Sequence, residues 1–278
     1  MANITATEVN NLRKMTGAGM MDCKEALVQS NGDVQQAIDF LRKKGQKVAN
    51  KRSERAANEG IVLAKVSADS KRAAMIMFNC ETDFVAKNQE FVTLANLISD
   101  KAINETPQNL DALNALTIDG RSIADKITDL IGIIGEKITL SQYEFVEGEI
   151  SFAYNHQGNR LGSIVSLNKK DISGVEEIGK EIAMQVAAMS PVAIDKDDVP
   201  KDVIEREIEI GKDQARQEGK PENIIEKIAI GKLEKFYKES TLMNQQFIKD
   251  NQKSVKQYIQ EKDKELIVKG FKRFMLGE

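Results

Sequence analysis

Ile61-Val62-Leu63-Ala64-Lys65-Val66, the polar turn Ala68-Asp69-Ser70-Lys71, and Ala73-Ala74-Met75-Ile76-Met77-Phe78 form the stretch that decides the fold. Two short β-rich runs around a turn predict a hairpin. The arrangement returns in Glu149-Ile150-Ser151-Phe152-Ala153-Tyr154, a turn around Gly158, and Gly162-Ser163-Ile164-Val165-Ser166-Leu167. Helical patterns follow both hairpins. After the first, Phe84, Phe91, Leu94, Leu97 and Ile98 predict one helix, and a second is expected over Ser122 to Ile134; after the second hairpin, Ile178, Ile182, Val186 and Met189 predict another. The reading is α+β, with two related subdomains over 57–145 and 146–278, each an antiparallel sheet packed by helices.

Upstream, residues 1–42 read as a three-helix N-terminal domain. Thr5 with Glu8 and Asp22 with Glu25 have capping-box spacing, and Asp33 is placed to cap a third helix. Val9, Leu12, Ala26, Leu27, Val34, Ala37, Ile38 and Leu41 supply the inward stripes. Residues 43–56 form a basic linker, since Arg42, Lys43, Lys44, Lys47, Lys51, Arg52 and Arg55 face only Glu54. It reads either as a solvated tether or helix between domains, or as a phosphate-contacting arm. Downstream, Val203 to Glu218 and Asn223 to Glu239 predict an antiparallel helical hairpin, an arm over about 201–240, broken at Gly219-Lys220-Pro221. Its Ile204, Ile208, Ile224, Ile225, Ile228 and Leu233 need a covering surface. Glu265 to Leu276 is expected to return as a last strand of the second sheet.

Among 278 residues, 40 Lys and Arg nearly cancel 43 Asp and Glu, leaving a net charge of -3 and no concentrated field for general nucleic-acid binding. No apolar run approaches the roughly 18 residues that span a bilayer. Met1-Ala2-Asn3-Ile4-Thr5 does not read as a signal peptide, so the expected location is cytoplasmic, with no membrane partner. Cys23 and Cys80 are expected as buried thiols in a reducing compartment. None of the Gly-Lys steps at Gly179, Gly211, Gly219 and Gly231 precedes Ser or Thr, so no P-loop is present. Gly17-Ala18-Gly19 has Asp22 where a dinucleotide fingerprint needs its third glycine. One histidine and two distant cysteines cannot supply a zinc cluster, and no cofactor or metal is expected. Cys80 with His156 is the sole thiol-imidazole combination available to an enzyme.

Asn79-Cys80-Glu81-Thr82-Asp83-Phe84-Val85-Ala86-Lys87-Asn88 stands at the junction of strand and helix. Local physics has Thr82 or Asp83 capping the helix and Phe84 packing under its first turn or against the sheet. Together with Leu12-Arg13-Lys14-Met15-Thr16-Gly17-Ala18-Gly19-Met20-Met21-Asp22-Cys23-Lys24, however, this segment resembles the two signature stretches of the elongation factor Ts family. The resemblance extends across almost the whole chain.

It implies a UBA-like N-terminal domain and a guanine-nucleotide exchange factor, without bond chemistry of its own, for the GTPase elongation factor Tu. Arg13, Met20 and Met21 would dock the head on the partner. Thr82, Asp83, Phe84 and Val85 would form the tip that displaces the partner's Mg²⁺, while Ile134, Gly135 and His156 would touch the partner from the core. A homodimer or a 2:2 complex through core or arm stays open. Family members continue past the last strand into a further helical module, whereas this chain stops at Leu276-Gly277-Glu278, so contacts of that module are not carried over. The competing readings are a non-exchange binding module using the head and linker, and a thiol enzyme built on Cys80 and His156.

Overall fold

The computed structural model describes residues 4–278; of the N-terminal stretch read for a signal, Met1-Ala2-Asn3 lies outside them. The head is built from α1 (Ala6–Thr16), α2 (Met20–Gln29) and α3 (Val34–Arg52). Thr5 and Glu8 form the expected capping box on α1, and Asp33 caps α3 by accepting from the Gln36 amide. Asp22 does not cap α2, whose cap is Gly19. Its carboxylate instead accepts from Lys44 at 2.8 Å, because an ion pair across the helices is open to it once α2 is capped three residues earlier. Val9, Leu12, Ala26, Leu27 and Ala37 fill the small core, while Val34 is exposed.

The basic segment is not a loose tether. It continues α3 as far as Arg52, and half of its cations are paired, Lys44 with Asp22 and Glu25 and both Arg52 and Arg55 with Glu81, while Arg42 just before it pairs with Asp39. A phosphate-contacting arm would need those cations unengaged.

Next come β1 (Glu59–Val66), β2 (Arg72–Cys80), α4 (Asp83–Ala86), α5 (Gln89–Glu105), α6 (Leu110–Ala115), β3 (Thr117–Ile118), β4 (Arg121–Ser122), α7 (Ile123–Ile134) and β5 (Ile138–Glu147). The second half contains β6 (Ile150–Asn155), β7 (Leu161–Leu167), α8 (Val175–Met189), α9 (Lys201–Gln217), α10 (Glu222–Ser240), β8 (Gln246–Phe247), β9 (Asp250–Ser254), α11 (Val255–Lys262) and β10 (Val268–Met275). The architecture is mixed helix and sheet with small antiparallel sheets, ordered β1-β2-β5 and β10-β7-β6. Each sheet is thus a hairpin with a later strand added beside the hairpin's second member. This shared order is the topological form of the similarity between the two hairpins.

The sheets stack face to face. Val62, Ala64, Ala73, Met75, Met77 and Val146 of the first meet Ile164, Phe274 and Leu276 of the second. On the outer face of the first sheet, Ile76 and Phe78 pack against Phe91, Ile98, Ile123 and Ile127 of α5 and α7, and Phe78 stacks on Phe91 at 4.5 Å. On the outer face of the second, Phe152, Val165 and Leu167 pack against Ile178 and Ile182 of α8. Met189, at the end of α8, and Leu97 of α5 lie exposed despite their helical spacing.

β1 would be an open sheet edge, and open edges invite unwanted pairing. The β6–β7 turn closes it. Val62 N–H donates to Asn159 O at 2.7 Å, and the Asn155 side-chain amide both accepts from Ala64 N at 2.8 Å and donates to Ala64 O at 2.9 Å.

The arm pairs α9 and α10 with their backbones close, since a Cβ on Gly211 would lie 3.1 Å from Ala229 Cα. Ile225 and Leu233 are buried between the helices, while Ile210, Ile224 and Ile230 remain exposed. At the arm's base the Gln245 side chain donates to Met189 O at 3.1 Å and Glu239 O at 2.9 Å, tying the end of α10 to the end of α8. Among the described residues, no helix is long and apolar enough to cross a membrane.

α3 crosses α7 at two glycines. A Cβ on Gly132 would lie 2.8 Å from Gly45 Cα, closer than carbon atoms pack, and the obstacle is backbone. Gly231 in α10 has nothing within 4 Å. Gly231→Ala is therefore expected to stabilise the protein by about 0.5–1 kcal/mol through helix propensity. Gly132→Ala is expected to destabilise it by about 1–3 kcal/mol by prising α3 from α7. Urea unfolding midpoints of the two variants check both signs.

Candidate functional site

β2 ends at Cys80, and the chain must turn before α5. Thr82 caps the four-residue α4, and Asn88 caps α5 by accepting from the Glu90 and Phe91 amides. The expected single helix is therefore two, split at Lys87-Asn88. The split rotates Phe84 out of the stripe that Phe91, Leu94 and Ile98 form. Phe84 is 81% exposed, which overturns its expected packing against the sheet. Val85 is the residue that turns inward. Asp83 is exposed as well; its pKa is lowered by the hydrogen bond and charge of Lys87, one helical turn on.

Two carboxylates brace the entry to this turn. Glu136 Oε2 accepts from Thr82 N–H at 3.2 Å, and Glu136 Oε1 accepts from Thr82 Oγ1 at 3.0 Å. Glu81 accepts from Arg52 at 2.8 and 3.0 Å, from the Lys137 amide at 2.6 Å and from Arg55 at 3.3 Å. Lys137 Nζ then donates to Ser53 O at 2.7 Å and Arg55 O at 2.8 Å, where α3 ends. Burial raises the Glu81 pKa, but the Lys137 amide and the two guanidiniums outweigh it and hold the carboxyl below its ordinary value of 4.5.

Some of the other expected contact residues lie on elements next to this turn. Gly135, at φ +81°, terminates α7 directly before Glu136, and Ile134 packs partly against the first core. The α1–α2 turn sits against the same region, since a Cβ on Gly17 would lie 3.3 Å from Ile133 Cδ1 and 3.5 Å from Glu90 Oε1. That turn leads into Met20 and Met21, which are 59% and 73% exposed; Arg13, on α1, is also exposed. His156 is exposed on the β6–β7 turn with its Nδ1 2.8 Å from Tyr154 Oη. Arg160 of that turn pairs with Glu59, which stands opposite Cys80 in the sheet. The Arg160 pKa is raised first by the Glu59 hydrogen bond and also by the Asp83 charge, so the turn and the tip share one electrostatic neighbourhood.

Cys80 and His156 do not form a thiol-imidazole pair. Cys80 Sγ is buried and donates to Thr82 O at 3.1 Å, while burial and the charge of Glu136 push its pKa to about 12. The thiolate of a nucleophile requires the opposite shift. Burial raises the Cys23 pKa too. Among the described residues, no group of three or more His, Cys, Asp and Glu is placed to hold a metal ion. Arg52, Glu81, Glu136 and Lys137 carry the architecture of the turn, yet residue type alone did not single them out as partners. The available signal was the charge run ending at Arg55 and the acid-base pair Glu136-Lys137 directly after Gly135.

Two stacked antiparallel sheets backed by helices, with a helical head and an exposed aromatic on the turn after β2, define the molecule as an α+β protein. A family model described as "Elongation factor TS" matches residues 81–278. The chain is 50% identical over 278 residues to elongation factor Ts of Cytophaga hutchinsonii, with 100% of both chains covered. It is 48% identical over 274 residues to that of Amoebophilus asiaticus, covering 99% of each, and 48% over 277 residues to that of Christiangramia forsetii, covering 100% of each. The chain belongs to the bacterial elongation factor Ts family of translation factors.

Glu81→Gln removes the charge that joins α3, β2 and β5. It is expected to cost about 1.5–3 kcal/mol at pH 7, the range for hydrogen bonds to a charged group. Because the folded pKa is depressed, this stability is present above the unfolded value of 4.5 and is lost as pH falls through the lower folded value. Urea midpoints of the two proteins should differ at neutral pH and converge in acid.

Proposed function

We propose that this chain is a guanine-nucleotide exchange factor for elongation factor Tu in the cytoplasm, and that Thr82-Asp83-Phe84-Val85 is its working tip. The observation that carries this reading is Phe84, a large apolar ring 81% exposed on a turn that is otherwise tightly held. A lone exposed apolar residue needs no explanation, but one on a braced protrusion favours insertion into a partner. The protein supplies binding energy and makes or breaks no covalent bond.

GDP on such a partner is held through phosphate contacts and a Mg²⁺ ion with strict octahedral geometry, so a small displacement of the supporting loops releases the metal. Phe84 acts as the wedge. Asp83 leaves Lys87 and brings its charge near groups that organise the metal and phosphate. Burying one Phe contributes about 1.5–3 kcal/mol, roughly a tenfold to 150-fold weakening of GDP if all of it opposes nucleotide binding. Linkage makes factor and nucleotide weaken each other by the same ratio, so the wedge needs a broad interface behind it and GTP must be able to displace the factor.

That interface combines Arg13, Met20 and Met21 of a UBA-like head over 1–42 with Ile134, Gly135 and His156 of the two core subdomains, 57–145 and 146–278. Residues 43–56 join head to core, and the arm over 201–240 offers a further contact to the partner or a second copy.

Asp83→Ala combined with Phe84→Ala should slow release of fluorescent GDP from elongation factor Tu by roughly tenfold or more at saturating factor. The unfolding midpoint should hardly move, because both side chains are exposed. Stopped-flow release with the wild-type and double-variant proteins tests the reading; acceleration equal in the two removes the tip from the mechanism.

A further inference from the structure

The exposed tip does not hold its own shape. A four-residue helix is far below the length at which helices persist unaided. Thr82 Oγ1 is 3.4 Å from the Val85 amide it caps, a long bond, and the Asp83–Lys87 pair is exposed on both sides. Phe84, standing in solvent, contributes no anchoring of its own. Val85 anchors the far side of the turn in the first core, and Cys80 Sγ donates to Thr82 O; the direction of the turn is set at its entry, where both donors of Thr82, the amide and the hydroxyl, end on the single carboxylate of Glu136. That carboxylate is in turn fixed by its neighbours. Gly135 before it closes α7, and Lys137 after it is bound through its amide to Glu81 and through its ammonium to the carbonyls of Ser53 and Arg55.

We infer that Glu136 is the positioning residue of the tip, setting the direction in which Asp83 and Phe84 are presented to the partner. The inference rests on the exchange reading above. A wedge acts by being rigid when it meets the loops it displaces; a floppy wedge folds back, and its burial no longer opposes nucleotide binding. Glu136 achieves this from outside the turn, so it need not touch the partner. Loss of its carboxylate therefore affects how far the bound factor opens the nucleotide site more than how tightly the factor is held, since the head and core surfaces remain intact.

Glu136→Ala and Glu136→Gln separate this role from a general structural one. Two measurements apply: the GDP release rate of elongation factor Tu as a function of factor concentration, and amide hydrogen exchange at Phe84 and Val85 in the free proteins. The expected result for Glu136→Ala is faster exchange at those amides and a saturating release rate lower by about tenfold, with the half-saturating concentration nearly unchanged. Glu136→Gln keeps one acceptor for Thr82 and should recover part of both. If wild-type factor accelerates release and Glu136→Ala reaches the same saturating rate, the positioning role is overturned and the exchange reading stands. A change confined to half-saturation, or unchanged amide exchange at the tip, overturns it as well. If wild-type factor itself gives no acceleration, the exchange reading fails and takes this one with it.

Discussion

One carboxylate, Glu81, gathers the end of the head's long helix, the end of the central strand and the start of the edge strand. Its side chain is 13% exposed, and a carboxylate drawn partly out of water is held best where it is well partnered. Arg52, Arg55 and the Lys137 amide meet that demand, and in doing so they make three chain segments distant in sequence share one position. The protruding turn begins at the next residue. Its location in space is therefore decided by the same ion cluster that joins head and core, and not by the turn's own sequence.

The two stacked sheets complete the platform. Sealing the free edge of β1 with the Asn155 side chain and the Asn159 carbonyl joins the second sheet to the first through hydrogen bonds as well as through the apolar layer between them. Those contacts bring the His156 turn alongside Glu59 and thus to the Cys80 end of β2. The α1–α2 turn, the end of α7 and the β6–β7 turn are thereby fixed relative to the strand from which the Thr82 turn departs.

Much of this was legible in the chain. Both hairpins, the helices over Ile123–Ile134 and Val175–Met189, the paired arm and the returning last strand carry ordinary periodicity and punctuation. β5 escaped notice because its alternation is interrupted: Ile138 and Leu140 point to one core, then a bulge opposite Met77 and Phe78 shifts the phase before Tyr143. Ser141, at the irregularity, donates to Asn79 Oδ1 at 2.5 Å. The helical extension of α3 was one of the readings open to the basic segment, whose charge also suits a solvated tether until its acidic partners are placed. Phe84 was misread for a different reason. Its spacing to Phe91 suits one continuous helix, and only the caps at Thr82 and Asn88 reveal a single short turn followed by a separate long helix. Long-range ion pairs such as Arg52–Glu81 leave no periodic trace at all.

The sulfur atoms are distributed unevenly. Met75 and Met77 are sealed between the two sheets, whereas Met20 and Met21 stand in water on the head. Oxidation to sulfoxide turns a flexible apolar side chain into a polar one, and it follows exposure. Peroxide would thus reach Met20 and Met21, and next the half-exposed Met189 and Met275, long before the inner layer of the sandwich, altering surface side chains while the scaffold stayed folded. The molecule carries its oxidative vulnerability at its surface, where methionine sulfoxide reductases can reach and reverse it.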